Sequence, residues 1–395
     1  MMLEQAAKIP YSRSFALQGK IFCLAYRFSD NDLAVFVKNA QMVVSLCFAI
    51  LLTVFAFYVR REFGYAAATA MVVMLSLSDW LVFVARNLHW MEFTEFVPLV
   101  LSFILFRLVL DRGLRFPLYL FWIGMATVVA MLCCEMYSTN IALSAAVGPI
   151  YYGIQRHVSV RQLAKWIAAS VAASVAAVCL ATIITAIQAG VFYHSMARGF
   201  EEVVYAITTR AYRASDVTGY AIPPDVSVFE VFDRYLFWPL VSLPFDSASR
   251  YRMYLSAFAF ITYLLPLTVL PFVDGRRFPR FEQQRPQLLG LCAATWWGLG
   301  CSLSWAFLMK GHMWHHVHVN ALTFYIPYLI VLYVFMGKAI SVVSLQAWDF
   351  ARSRTLPTFF ADGKVDSIES SAPVTSGTRK EKGHVPRKER KMPPA

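Results

Sequence analysis

The chain has 395 residues, of which 58% are hydrophobic and 15% are charged. A soluble domain of this composition would expose too much apolar surface, so the composition excludes an ordinary water-soluble enzyme or binding domain. The net charge of +12 accompanies apolar runs of membrane-spanning length. It is therefore attributed to cytoplasmic loops and anionic membrane lipids, and no nucleic-acid partner is predicted.

Nine apolar runs predict membrane-spanning helices, because a helix needs about 20 residues to cross the hydrocarbon core. The fourth and fifth runs are separated only by Glu135, Met136 and Tyr137. The predicted fold is all-α, a polytopic bundle of about nine spans within residues 41–345. The predicted spans lie at 41–59, 65–85, 93–110, 117–136, 138–154, 166–190, 255–273, 288–308 and 321–344.

Lysine and arginine residues cluster in alternate short loops, which predicts that these loops face the cytoplasm. Such clusters follow the first, third, fifth and seventh spans, and the chain after the ninth span is basic as well. The opposite, non-cytoplasmic face then receives the loops at 86–95 and 134–138, the long loop 191–254, and residues 310–320. The polar residues that could carry chemistry therefore share one face of the membrane.

The N-terminal segment 1–40 is mixed in character, and residues 15–24 have the pattern of a helix lying at a membrane interface. Nine spans with a cytoplasmic C-terminus would place this basic segment outside the cytoplasm, which its positive charges disfavour. Two explanations stay open. An additional helix precedes this sequence in the complete protein, or the segment lies on the cytoplasmic surface and one predicted span is wrong.

Two other segments lie outside the predicted spans. Within the loop 191–254, residues 200–212 and 228–238 have the spacing of aromatic-rich amphipathic helices, which favours a position in the headgroup layer. Residues 346–395 are rich in serine, proline and basic residues, which predicts a disordered cytoplasmic tail. Its cations either lie against anionic lipid or are simply solvated.

The loop between the second and third spans contains the first candidate site residues. Glu92 and Glu95 are three residues apart, so a helix places them on one face. They could act as a general base or hold a divalent cation, or they could interact only with the helix dipole. Arg86 could bind a phosphate, anchor the end of the second span, or pair with Asp79.

Two further polar groups are predicted on the same face. Glu135 precedes the hydrogen-bonding residues at 137–140 and is a candidate for substrate binding. Lys310 and His312 begin a histidine-rich stretch that could contact a lipid phosphate or a polar substrate, with a zinc site or an interfacial role as alternatives. The sequence contains no Cys-x-x-Cys pair and no nucleotide-binding loop, so ATP-driven transport by this chain alone is not predicted.

One block of sequence resembles a known family. The block runs Phe63-Gly-Tyr-Ala-Ala-Ala … Leu77-Ser-Asp-Trp-Leu-Val-Phe-Val-Ala-Arg-Asn-Leu, and it is similar to a block in multi-pass GT-C type glycosyltransferases. In those proteins a Gly- and Ala-rich helix ends in a Ser-x-Trp-Leu-Val-Phe-x-x-Arg run at the outer face. The long outer loop and the polar loop at Lys310–His312 are similar too, and the likeness extends over roughly residues 10–340.

The resemblance implies a membrane glycosyltransferase that moves a sugar from a polyprenyl-phosphate donor to a lipid or cell-envelope glycan acceptor. It implies action on the non-cytoplasmic face, and the expected location is the bacterial inner membrane. The family usually places its catalytic acid in the first outer loop, whereas residues 10–19 here resemble the stretch that follows that loop. Glu92 is therefore the first choice of base, followed by Glu95.

The remaining candidates are assigned to substrate binding. Arg86, Lys310 and His312 are expected to bind the donor phosphate, and Glu135 is expected to contact the substrate. A transporter or flippase is the alternative, and it would predict polar residues buried within spans, broken helices and inverted repeats. An inactive membrane subunit is a third alternative. The low polar content within the predicted spans, apart from Asp79, favours the enzyme.

Overall fold

The computed structural model describes residues 14–29, 32–89, 91–212, 227–237, 239–244, 252–315 and 322–355. Within them the chain is helical apart from one two-stranded hairpin. The first half contains α1 (Leu17–Arg27), α2 (Leu33–Phe63), α3 (Tyr65–Ser76), α4 (Asp79–Ala85), α5 (Phe93–Arg112), α6 (Phe116–Cys133), α7 (Ser138–Ser144) and α8 (Val147–Gln155).

The second half begins with the longest described helix and includes the hairpin, whose two strands pair antiparallel. A 3₁₀ turn (Leu270–Phe272) extends α12, and a π turn (Tyr325–Leu329) joins α15 to α16. The elements are α9 (Val160–Phe192), α10 (Met196–Tyr212), α11 (Val228–Leu236), β1 (Pro239–Pro244), β2 (Arg252–Ser256), α12 (Ala257–Val269), α13 (Pro279–Leu308), α14 (Lys310–His315), α15 (Leu322–Phe324) and α16 (Ile330–Thr355).

The described residues contain six helical stretches that are long and apolar enough to cross a membrane. They are α2, α5, α6, α9, α13 and the continuous stretch Leu322–Ser353. Large apolar side chains remain exposed along them, including Leu46 and Phe57 of α2, as lipid-facing helices require. The prediction of a polytopic helical membrane protein is confirmed at this level.

Three of the nine predicted spans are divided between separate elements, and a fourth, 321–344, contains the π turn. The predicted span 65–85 is divided between α3 and α4, and 138–154 is divided between α7 and α8. The predicted span 255–273 starts in β2 and continues as the short helix α12. Mean hydropathy over each predicted span did not reveal these interruptions, because each span is apolar as a whole. The two predicted amphipathic helices of the long loop are present as α10 and α11.

The break between α7 and α8 is hydrogen-bonded by side chains from neighbouring helices. Ser102 Oγ and Tyr119 OH both donate to the carbonyl oxygen of Ala145, at 2.9 and 2.8 Å. The backbone N–H of Gly148 donates to Ser102 Oγ at 2.8 Å. A helix interrupted inside a membrane protein needs such partners, because water does not reach its freed backbone groups.

The break at the π turn is satisfied in the same way. Asn140 Nδ2 donates to the carbonyl oxygens of Thr323 and Ile326, at 2.9 and 3.1 Å, and Ser302 Oγ donates to that of Thr323 at 2.7 Å. These bonds connect α7 and α13 to the start of the last helical stretch. They hold the irregular backbone of 322–329 at a defined position in the bundle.

The structure also separates two polar ends of the bundle. At one end Arg107 forms ion pairs with Glu62 and with Asp111, and Arg156 forms an ion pair with Asp111. Gln287 Nε2 donates to the backbone carbonyl of Glu62 at 3.4 Å. This network brings together the basic loops after α2, α5 and α8, as the alternation of charges predicted. We call it the basic end.

A matched pair of serine substitutions tests the role of the helix breaks. We expect Ser102→Ala to lower stability by about 1–2 kcal/mol, because it removes the donor to Ala145 and the acceptor for Gly148. Ser144→Ala is the control: Ser144 is also buried, but its hydroxyl donates only to the carbonyl of Ile141 in its own helix. Thermal unfolding in detergent measures both. Equal effects would contradict a special role for the break.

Candidate functional site

A pair of buried carboxyl groups lies at the opposite end from the ion-pair network, where α5 begins. Glu92 immediately precedes α5 and Glu95 belongs to its first turn, so the two share one side of the helix. Their residues are 1% and 0% exposed. Neither sits in a salt bridge with a described residue. The sequence predicted the shared face, and the tertiary structure buries it.

The hydrogen bonding of this pair is incomplete. Asn87 Nδ2 donates to Glu92 Oε1 at 2.8 Å. The other oxygen of Glu92 and both oxygens of Glu95 have no hydrogen-bond partner among the described residues. The Cys134 thiol lies beside Glu95 but outside hydrogen-bond geometry. Buried polar groups are normally satisfied, so three open acceptor positions in one place indicate a functional site.

Burial changes the acid–base chemistry of Glu92. Removal from water raises the pKa of its carboxyl from 4.5 to about 8, while the hydrogen bond from Asn87 acts in the opposite direction. A carboxyl with this pKa exchanges its proton close to neutral pH. It is a much stronger base than an exposed glutamate, and it is matched to proton transfer under physiological conditions.

The N-terminal segment covers one side of the carboxyl pair. Ser14 Oγ donates to Glu135 Oε2 at 2.8 Å, and Gln188 Nε2 of α9 donates to the carbonyl of Ser14 at 3.3 Å. Gln18 of α1 is only 4% exposed and donates to the carbonyl of His89, in the loop that leads to Glu92. The start of α1 therefore packs on the candidate site.

The predicted interfacial character of α1 applies to one side of the helix. Ile21 and Leu24 are exposed, as expected for contact with lipid, whereas Gln18 is buried against the protein. The sequence pattern placed Gln18 among the polar residues of an interfacial helix and gave no hint of its burial. Only the packing of α1 against the loop before α5 reveals that Gln18 belongs to the site.

Aromatic residues form a second side of the site. Tyr137 is buried, with its ring centroid 5.7 Å from that of Trp305. Burial raises the pKa of the Tyr137 phenol, and the nearby carboxylates of Glu95 and Glu92 raise it further. Trp305 in turn contacts the ring of His312, at 6.3 Å between centroids. This row of rings joins the carboxyl pair to α14.

Helix α11 holds α14 in place. Tyr235 OH donates to the carbonyl of Met313 at 2.6 Å, and Arg234 Nη1 donates to the carbonyl of Trp314 at 3.1 Å. The Arg234 guanidinium also lies 4.5 Å from the centroid of the Trp314 ring. The amphipathic helix of the long loop thus packs on the segment that carries Lys310 and His312.

The structure brings four of the predicted site residues into this region by traceable contacts. Glu92 and Glu95 form the buried pair, Glu135 binds the segment that covers it, and His312 joins through Trp305 and Tyr137. Arg86 ends α4 and directly precedes Asn87, the hydrogen-bond donor to Glu92. Lys310 begins α14, one turn from Met313.

Some predicted groups lie outside what the structure describes. The proposed pairing of Asp79 with Arg86 involves an Asp79 side chain that is not described, and the same holds for the histidines at 315, 316 and 318. Among the described residues no group of three or more His, Cys, Asp or Glu side chains could hold a metal ion. Glu92 and Glu95 therefore have no third ligand of these types for a divalent cation there.

Comparison of the chain with models of known protein families, with curated proteins and with solved structures finds no match.

The raised pKa of Glu92 leads to a test of stability against pH. The folded protein holds a proton on Glu92 that the unfolded chain releases near pH 4.5, so this group favours folding below pH 4.5 and loses that effect as pH rises through about 8. Glu92→Gln mimics the protonated form. We expect it to exceed the wild type in stability at pH 8–9, by on the order of a few kcal/mol, and to converge with it near pH 5.

Thermal unfolding between pH 5 and pH 9 measures the difference. Glu201→Gln is the control, because Glu201 is an exposed carboxylate on α10. If both variants follow the pH dependence of the wild type, Glu92 is not protonated in the folded protein at neutral pH.

Proposed function

We propose that this protein is a GT-C type membrane glycosyltransferase. It transfers a sugar from a polyprenyl-phosphate donor to a lipid or cell-envelope glycan acceptor. The observation that carries the proposal is the buried pair Glu92 and Glu95, which has open acceptor positions and lies next to the block of sequence that resembles this family. Glycosyl transfer needs a base that is protected from bulk water and active near neutral pH, and Glu92 has both properties.

In the proposed reaction Glu92 accepts the proton of the acceptor hydroxyl group. The freed oxygen attacks the anomeric carbon of the donor sugar, the bond from that carbon to the phosphate oxygen breaks, and polyprenyl phosphate leaves with the electron pair. Glu95 lies one turn away in the same buried region, so the two carboxyl groups disfavour double ionisation. The pair therefore carries at most one negative charge, and that charge is on Glu92 when it acts as the base.

The leaving phosphate needs positive charge in a region with little water. Arg86, at the end of α4, and Lys310 and His312, in α14, supply it in this proposal. Arg86 directly precedes Asn87, the donor to Glu92, and His312 contacts Trp305, which contacts Tyr137. Glu135 accepts hydrogen bonds from sugar hydroxyl groups once Ser14 moves away from it.

The proposal includes the arrangement in the membrane. The basic end faces the cytoplasm of a bacterial inner membrane, and the carboxyl pair lies near the opposite face. The chain crosses nine times, with α3–α4, α7–α8 and α12 completing the six long spans. Interrupted helices can cross a membrane when neighbouring side chains bind their free backbone groups. The side chains of Ser102 and Asn140 bind backbone carbonyl groups at two of the breaks in this way.

The helix breaks favour a second candidate, a transporter or flippase for a lipid-linked or small polar substrate. Transporters bind substrates at discontinuous helices near the middle of the membrane. The described residues contain such interruptions, together with buried polar side chains at Asn140, Ser302 and Ser78. The polar groups at these breaks mostly bind the backbone, however, whereas the oxygens of Glu92 and Glu95 are largely unpartnered. The enzyme remains the first proposal.

Glycosyl transfer in vesicles with a panel of polyprenyl-phosphate sugars tests the enzyme. We expect Glu92→Gln to lower the transfer rate by about 10²–10⁴-fold, the usual contribution of a general base. The wild-type rate should rise with pH and level off above about pH 8, because the base acts only when deprotonated. Glu201→Gln should leave both the rate and the pH profile unchanged.

Three results would contradict the proposal. An unchanged rate in Glu92→Gln would remove Glu92 from the reaction. In a second result, folded protein transfers no sugar from a broad donor panel and yet moves labelled lipid-linked sugar across the vesicle membrane. That result would establish the transporter instead. Absence of both activities in folded protein would favour the membrane subunit without activity of its own.

A further inference from the structure

A long apolar groove lies on the side of the bundle, with Arg60 at one end and Ser45 and Ala85 at the other. It runs between α2 and the pair α3–α4, which fold back on α2 through Gly64 (φ +100°). Its volume is about 650 Å³. The lining extends from Ser45 to Arg60 on α2 and from Tyr65 to Ala85 on α3 and α4.

The dimensions of the groove suit an extended hydrocarbon chain. Ser45 and Arg60 are separated by about 22 Å along α2, at 1.5 Å per residue, which is most of the ~30 Å hydrocarbon core. The lining between these two residues is mostly apolar, which suits a single lipid chain.

One end of the groove carries an uncompensated positive charge. Arg60 is the only charged residue among the described residues that line it, and its guanidinium lies 4.5 Å from the centroid of the Tyr65 ring. Tyr65 is 70% exposed, as is common for aromatic residues at headgroup depth. No described carboxylate pairs with Arg60, whereas Arg107 and Arg156 of the same basic end are neutralised.

We infer that this groove is a binding site for an anionic phospholipid, with one acyl chain between α2 and α3–α4 and the phosphate on Arg60. The apolar lining accounts for the chain, and the unpaired guanidinium at headgroup depth accounts for the preference for negative charge. The lipid enters from the leaflet at the basic end. The phosphate position on Arg60 lies at the basic end, opposite the end that holds Glu92, and the inference does not depend on the proposed glycosyl transfer.

Lipid retention measured by native mass spectrometry tests the site. Purified protein is exposed to phosphatidylglycerol and to phosphatidylcholine with identical acyl chains. We expect wild-type protein to retain phosphatidylglycerol about fivefold more strongly, the factor that one cation near an anionic headgroup supplies. Arg60→Gln should lose this preference. Arg61→Gln is the matched control, because Arg61 is the next residue and is exposed but does not line the groove.

A second variant tests the chain-binding part. Thr69 lines the groove and is exposed to it, so Thr69→Phe fills the space without entering the packed core. It should lower the retention of both lipids. Val129→Phe is the control, because Val129 is an exposed apolar residue of α6 that lies outside the groove.

Four outcomes would overturn the inference. Equal retention of the two lipids would exclude headgroup selection, and equal loss in Arg60→Gln and Arg61→Gln would indicate only diffuse attraction. Competition by soluble glycerol phosphate at the same concentration would show that the chain does not contribute. A dimer that disappears in Thr69→Phe would identify a second copy of this chain as the occupant.

Discussion

Irregular backbone inside an apolar bundle must find hydrogen-bond partners within the protein, and this constraint organises the structure. The break between α7 and α8 depends on Ser102, and the π turn before α16 depends on Asn140 and Ser302. Each partner comes from a different helix, so the breaks connect the bundle laterally. The same breaks let α7 and the start of the last helical stretch approach the polar end of the molecule, where the candidate site lies.

The two polar ends of the bundle differ in whether their charged side chains are paired. At the basic end Glu62, Arg107 and Asp111 form a connected network, so each ion has an opposite charge nearby. At the other end Glu92 and Glu95 are buried with a single described hydrogen bond between them and the rest of the protein. Burying a carboxylate without a partner is unfavourable, and the group responds by holding its proton. The first arrangement stabilises the bundle, while the second leaves buried carboxyl oxygens without a described hydrogen-bond partner.

The site is assembled from segments that are far apart in sequence. Gln18 contributes from the N-terminal helix, Tyr137 from the α6–α7 junction, and His312 from the end of α13 and the start of α14. The long loop takes part through Tyr235, which fixes α14. Ser14 and Gln18 attach the start of the described chain to Glu135 and to the loop before Glu92.

The sequence by itself determined the membrane-protein class, most of the helix positions, the grouping of basic loops, and the shared face of Glu92 and Glu95. These features depend on hydropathy, charge and the helical repeat, which are local properties of the chain. Only the tertiary structure decided where the helices break, that Gln18 is buried, and that Arg60 lies beside a groove with no described carboxylate as its partner. These features depend on contacts between side chains that are far apart in the sequence. The local pattern of an apolar run does not show which side chains of other helices will bind its backbone groups.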